Sequence, residues 1–204
     1  MNPKVSILVP VWNQHELVVK ALDSIPRRDD LDVLVWDDGS TDGTRQVVQN
    51  YIHEHPEIDM RLYAGYRNKG FAYAMNQLLP RVDGEYFHTL GSDDYLYTEE
   101  FSKCIDMIED EDIVIFDIDR NFGEPCHITE KNKNIFCGQA LRFIRTEFVK
   151  GIKFPEDHIQ GSDLIFHNEM MSRNPKEKFL GIVAYHYNYP REGSLSDLKI
   201  KGIL

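Results

Sequence analysis

The stretch Val35-Trp36-Asp37-Asp38-Gly39-Ser40-Thr41-Asp42-Gly43-Thr44 decides how this 204-residue chain is read. It leaves a β-rich run, residues 31–36, and breaks at once into acids, glycines and small hydroxyls. A polar turn directly after a buried strand is where an open α/β sheet takes its ligands, beyond the carboxyl ends of the strands. Outward from it, residues 5–9, 60–64, 86–90 and 113–116 also read as strands. Apolar spacing predicts helices over 16–24, 41–53, 71–79 and 99–109, the third bracketed by Gly70 and Pro80 and the fourth N-capped by Thr98. Strands alternating with helices predict βαβ units and a single compact α/β domain with a mostly parallel sheet.

The second half is less regular. Residues 118–137 read as an extended excursion or hairpin, 139–149 and 163–172 as helices, and 179–189 as a late strand. Lys131 to Lys153 holds six basic residues and one acid, Glu147; this reads as a solvated face or as a surface for an anionic acceptor. Elsewhere acids dominate: 34 Asp and Glu against 23 Lys and Arg give a net charge of −11, which argues against nonspecific binding to nucleic acid or anionic membrane. Cys104, Cys126 and Cys137 are odd in number and lack metal-type spacing, so reduced thiols are expected. No apolar run nears the ~18 residues needed to span a bilayer. No signal peptide is read at the N-terminus, and a soluble, cytoplasmic protein is expected.

Three strand ends carry polar turns: Pro10-Val11-Trp12-Asn13, Asp37 to Thr44, and Gly91-Ser92-Asp93-Asp94. Adjacent carboxylates repel unless a cation or donor groups hold them. Each motif also has a plain structural reading: Asp42 as a helix cap, Asp93-Asp94 as a turn. Their joint placement points to a ligand site. No G-x-G-x-x-G follows the first strand, which disfavours a dinucleotide reductase. The absence of a Gly- and Arg-rich phosphate loop at Trp12-Asn13-Gln14-His15 ranks a nucleotidyltransferase low.

The chain resembles the family 2 glycosyltransferases with the GT-A fold, a Rossmann-like, mostly parallel sheet flanked by helices. The matching runs are Val5 to Asn13, Val35 to Thr44, Asn68-Lys69-Gly70 with Ala74 and Asn76, and Gly84-Glu85-Tyr86. Leu90 to Leu96, Gly151 to Pro155, Gly161 to Phe166, Tyr185-His186-Tyr187 and Arg191 to Ser196 complete them. The resemblance implies one GT-A domain over 1–204, with a nucleotide-sugar half (1–96) and an acceptor half (97–204). It implies transfer of a sugar from a nucleotide diphosphate sugar, UDP-sugar first, to a hydroxyl with inversion. Pro10, Val11, Asn13, Asp37, Asp38, Arg67, Asn68, Gly70 and Ser92 are implied at the nucleotide, with a surface role as the alternative for Arg67. Asp93, Asp94 and His186 are implied for a Mn²⁺ or Mg²⁺ ion, and Arg191 and Ser194 for the diphosphate or acceptor. Asp163 is the candidate general base, the alternative being an N-cap; a lone histidine in an aromatic strand, such as His186, also reads as structural.

The acceptor is open: a glycan or polysaccharide precursor, or a modified base in DNA, which the overall charge disfavours and only the Lys131–Lys153 stretch favours. The chain departs from the family pattern at Gly91, where the pattern has Asp, and at Ser162, where it has Glu. These departures motivate a competing reading: a weak or inactive member that binds a nucleotide or a partner protein. The end ten residues after Ser194 reads as a minimal catalytic domain. Trp12 and Trp36 are expected in or near the core.

Overall fold

Residues that are apolar on both strand faces build the centre of the sheet. In the computed structural model, which describes residues 4–132, 139–157 and 161–189, β1 (Val5–Val11) lies between β2 (Leu31–Asp37) and β4 (Tyr86–Thr89), with β3 (Met60–Ala64) outside β2. All three pairings are parallel, with Val5 opposite both Leu31 and Tyr86. Every residue of β2 is buried, which is what a strand covered by helices on both faces requires. α1 (Val18–Asp23), α2 (Thr44–Glu54) and α3 (Phe71–Leu78) make the crossovers. The chain steps from β1 out to β3 and returns to β4 on the other side of β1. That reversal leaves a crevice between the carboxyl ends of β1 and β4.

The remaining strands make the sheet mixed. β5 (Tyr95–Leu96), β6 (Ile113–Arg120), β7 (Arg142–Arg145) and β8 (Glu177–Tyr187) extend it in the order β3-β2-β1-β4-β7-β6-β8-β5. β7 runs antiparallel to both β4 and β6, β8 parallel to β6, and β5 antiparallel to β8. α4 (Thr98–Asp106) and α5 (Ser162–Met171) complete the described elements. Beyond β6 the chain folds back, Cys126 bridging Ile118, as a hairpin-like excursion.

The expected helix over 139–149 is a correction. Those residues form a 3₁₀ turn, strand β7 and a second 3₁₀ turn. A short apolar run has no decisive period, and the open edges of β4 and β6 claim it. In the basic stretch, Lys131, Lys150 and Lys153 are exposed, Lys133 lies outside the described residues, and the two arginines are engaged within the protein. Arg142 is 2% exposed, Arg145 pairs with Glu85 at 2.6 Å, and Lys150 pairs with Glu147 at 3.0 Å. Thr98 does not cap α4; its hydroxyl donates to the Ser24 carbonyl at 2.9 Å. Trp12 is 47% exposed, not core, whereas Trp36 is buried. Cys104 is buried and Cys126 half-buried, both as thiols; Cys137 lies outside the described residues. No described helix is long and apolar enough to cross a membrane.

His88 on β4 packs its ring against Phe101, Phe116, Phe143 and Tyr185. Burial pushes its pKa down to about 3, so it is neutral, and Nδ1–H donates to the Arg142 carbonyl at 3.2 Å. It is a core histidine that ties β4 to β7.

Candidate active site

Because β1 to β4 are parallel, their carboxyl ends open on one edge, and backbone bonds prolong the sheet into it. Asp38 N–H donates to Val11 O (2.8 Å), Gly65 N–H to Asp37 O (2.8 Å), and Leu90 N–H to Leu8 O (2.9 Å). Four stretches therefore lie side by side on this edge: 11–15, 37–44, 64–70 and 90–94.

The turn after β2 is closed by its own acids. Asp37, fully buried, accepts from Ser40 N–H at 3.1 Å and from Arg45 Nε at 2.7 Å. Arg45 Nη2 reaches on to the Gly65 carbonyl at 2.8 Å, binding the ends of β2 and β3 together. Asp38 Oδ2 accepts from the N–H groups of both Lys69 and Gly70 at 2.7 Å. Gly39 lets the two loops touch: a Cβ there would sit 2.5 Å from the Arg67 backbone. Asp42 accepts from Thr44 N–H (3.0 Å) and Thr44 Oγ1 (2.6 Å) at the start of α2. Its burial raises the carboxyl, but these donors and His15 outweigh that and hold it well below the usual carboxylate range.

The loop after β1 zips onto this turn. Asn13 N–H donates to Ser40 Oγ (3.0 Å), Thr41 N–H to Asn13 Oδ1 (2.9 Å), and Gln14 N–H to Thr44 Oγ1 (2.8 Å). Asn13 has φ of 50°, a left-handed conformation that asparagine tolerates better than most residues. Pro10 is half-buried; the Val11 side chain is in the core and its carbonyl is taken by Asp38. Arg67 and Asn68 are exposed, and Asn68 Oδ1 accepts from Gly70 N–H at 2.9 Å. Beside them, Trp36, Gly65, Tyr66, Arg67 and Tyr73 line a hollow of about 380 Å³.

The turn after β4 is built differently. Asp94 N–H donates to Gly91 O at 3.1 Å, so Ser92 and Asp93 form the tip of a β-turn. Ser92 is buried and Asp93 half-buried. Asp94 turns inward, 5% exposed: Oδ2 accepts the Tyr185 hydroxyl and Oδ1 accepts Asn188 N–H at 2.8 Å. Asn188 Nδ2 also donates to the Asp93 carbonyl at 3.0 Å. Asp94 thus anchors the turn and is not turned outward beside Asp93. His186 is likewise committed. Nδ1 meets Asp119 at 2.7 Å, Nε2 meets Asn121 at 2.9 Å, and the ring stacks on Tyr95 at 4.3 Å. Among the described residues, no three His, Cys, Asp or Glu side chains gather as a metal site. The tip of the turn after β4 carries the half-buried Asp93, an oxygen donor of the kind that holds hard cations together with a substrate's phosphates.

Asp163 lies in the first turn of α5, half-buried. It is not the cap: Gly161, with φ of 79°, takes that position, and no side chain bonds it. α5 is seated by Phe166, stacked on Phe154 at 4.1 Å, which packs edge-on against Phe71 of α3. Asn76 of α3 holds Phe154 at both backbone atoms, N–H to Oδ1 at 2.9 Å and Nδ2 to O at 2.8 Å. This links Asp163 to the helix that opens at Gly70. Arg191 and Ser194 lie outside the described residues. Sequence reasoning missed Arg45, Asn188 and the anchoring role of Tyr185.

The sequence matches the profile described as glycosyl transferase family 2 over residues 6–179. The chain belongs to that family. The motifs and the fold agree with this, and the expected GT-A α/β domain is met. Among similar proteins, chondroitin synthase of Escherichia coli is 33% identical over 106 residues, which are 51% of this chain and 15% of that one. The structure resembles Staphylococcus aureus TarS 1–349 in complex with UDP-GlcNAc, with a TM-score of 0.82 at 23% identity, over 94% of this chain and 60% of that one. It also resembles the mannosyltransferase PcManGT of Pyrobaculum calidifontis in complex with GDP-Man and Mn²⁺, with a TM-score of 0.74 at 20% identity, over 95% and 59%. At these identities the two likenesses are of fold.

Proposed function

We propose that this chain transfers a glycosyl group from a nucleotide diphosphate sugar, UDP-sugar first, to a hydroxyl of an acceptor, with inversion. The observation that carries the reading is the shared edge: in a family 2 chain, the Asp38–Gly70 contact and the Asp93 turn flank the crevice between β1 and β4. The hollow walled by Trp36, Tyr73 and Arg67 beside Asp38 suits a flat heterocycle next to a phosphate. The fold likeness to proteins crystallised with UDP-GlcNAc and with GDP-Man and Mn²⁺ supports the donor class.

In this reading Asp93 holds a divalent ion, Mn²⁺ or Mg²⁺, which supplies countercharge to the diphosphate. Asp163 accepts the proton of the acceptor hydroxyl as that oxygen bonds to the anomeric carbon. The bond from the anomeric carbon to the diphosphate oxygen breaks at the same time, and the nucleoside diphosphate leaves with the electron pair. One carboxylate on the acceptor side is enough for such a single displacement. The acceptor proposed is a glycan or polysaccharide precursor.

Calorimetric titration with UDP, GDP and CDP, each with and without Mn²⁺, tests this. UDP is expected to bind more tightly with the ion, and Asp93→Asn to remove that gain. Equal binding with and without Mn²⁺ sinks the metal assignment. Binding of UDP with no transfer to any acceptor supports the nucleotide-binding member that Gly91 and Ser162 suggest.

A further inference from the structure

The resemblance sets an aspartate against Gly91, and the structure gives that glycine a reason of its own. A Cβ built on Gly91 would overlap Asp94 Oδ2, lie 3.0 Å from Asp94 Cγ and 3.2 Å from the Tyr185 hydroxyl oxygen. The Asp94 carboxylate already fills the room a side chain at 91 needs. It is not free to swing away, because Tyr185 O–H and Asn188 N–H both donate to it. Tyr185 is fully buried and its oxygen also accepts Gly91 N–H at 3.1 Å. One phenol therefore bonds both ends of the turn whose tip carries Asp93. Moving Asp94 would strip a buried hydroxyl of its acceptor, and a second carboxylate beside the first would meet like charge out of water.

We propose that Tyr185 is a positioning residue for Asp93, acting through Asp94, and that Gly91 is the residue this clamp requires, so that an aspartate at 91 and the inward Asp94 exclude one another. Gly91 is then a rearrangement of the donor-side turn and not a lost ligand. The link to Asp93 rests on the donor-site reading above; the exclusion between 91 and 94 does not.

The test is a double-mutant cycle of Gly91→Asp and Asp94→Ser in the full chain, read by Tm, alongside Tyr185→Phe read by UDP titration with and without Mn²⁺. Forcing a side chain into a filled site costs enough that Gly91→Asp should lower Tm by about 5 °C or more. Asp94→Ser also lowers Tm, and the double variant should lose at least ~4 °C less than the sum, because removing one carboxylate admits the other. Should Gly91→Asp fail to fold, Gly91→Ala with Asp94→Ser carries the same cycle. Tm losses that add to within about 1 °C overturn the exclusion. For Tyr185→Phe, the ratio of UDP affinity with Mn²⁺ to that without should fall ~5-fold or more, the effect of about 1 kcal/mol lost in one bound state. A lower Tm with that ratio unchanged makes Tyr185 merely structural and overturns the positioning role. A wild-type chain that shows no Mn²⁺ gain overturns the donor-site reading and the positioning role together, while the cycle still decides the exclusion.

Discussion

The acidic turn after β2 is held by groups near it on the same edge, whereas the turn after β4 is held by β8 and the residue after it, 91 to 95 residues further along the chain. In the first, Asp37, Asp38 and Asp42 spend their oxygens on N–H and hydroxyl groups of the loops they join. In the second, Asp94 turns into the protein and is met by a buried phenol and a backbone N–H. The difference teaches that two acidic motifs of similar composition can have opposite logic. One ties neighbouring loops to each other; the other fixes one carboxylate inward, with its neighbour at the tip.

The largest expected effect lies outside both turns. Asp163→Asn should cut transfer by ~10²-fold or more with UDP affinity unchanged, since a general base contributes about 10²–10⁴ and neither turn touches it. An equal loss of UDP binding would show that α5 shapes the donor site, and would break the separation of the three parts. Next, Asp38→Ala leaves Lys69 N–H without its acceptor and Gly70 N–H with Asn68 Oδ1 alone. At about 1 kcal/mol for the bond lost outright, Tm should fall by about 3 °C, and UDP affinity by ~5-fold where the loop it closes shapes the donor site. A Tm within a degree of wild type would mean that the first turn is not closed by its acids.

His88 gives the second turn a pH signature that begins at a higher pH than the one Asp42 gives the first, because its ring packs on Tyr185. Its folded pKa, about 3, lies below the unfolded value near 6.5. As pH falls through 6.5 the unfolded chain takes up the proton first, so stability is lost between about 6.5 and 3 and is whole above that window. One such group contributes a slope of at most about 1.4 kcal/mol per pH unit. His88→Leu should flatten the fall of Tm between pH 6.5 and 4.5 relative to wild type; parallel curves would refute it. The smallest effect is expected at Asn13. Asn13→Ala should cost about 1 kcal/mol from the lost bond to Thr41, plus strain at its positive φ. Asn13→Gly should cost measurably less, and equal losses would remove the backbone part of the argument.

The same contrast explains what could be read from the sequence. Asp37 to Thr44 and Asn13 are legible because small polar residues next to a strand end have few things to do other than bond nearby backbone. The first four strands are legible because burial on both faces leaves a continuous apolar run. Strand β7 is not, since Leu141-Arg142-Phe143-Ile144 fits a helix as well as a strand and only the waiting edges of β4 and β6 decide. Nor are Arg45, Tyr185 and Asn188, whose partners are distant or are backbone atoms that carry no sequence signature. Gly91 looks like a deficit in the motif and reads as a fitted residue only once Asp94 is seen to occupy its space.

The placement of β8 between β6 and β5 also sets an order of assembly. A chain leaving the ribosome has every group that closes the first turn once residue 70 has emerged. The second turn is synthesised soon afterwards, yet Tyr185 and Asn188 arrive almost a hundred residues later. Until then Asp94 has no seat and Asp93 no fixed direction. A nascent chain would thus hold a closed first turn well before the second is set.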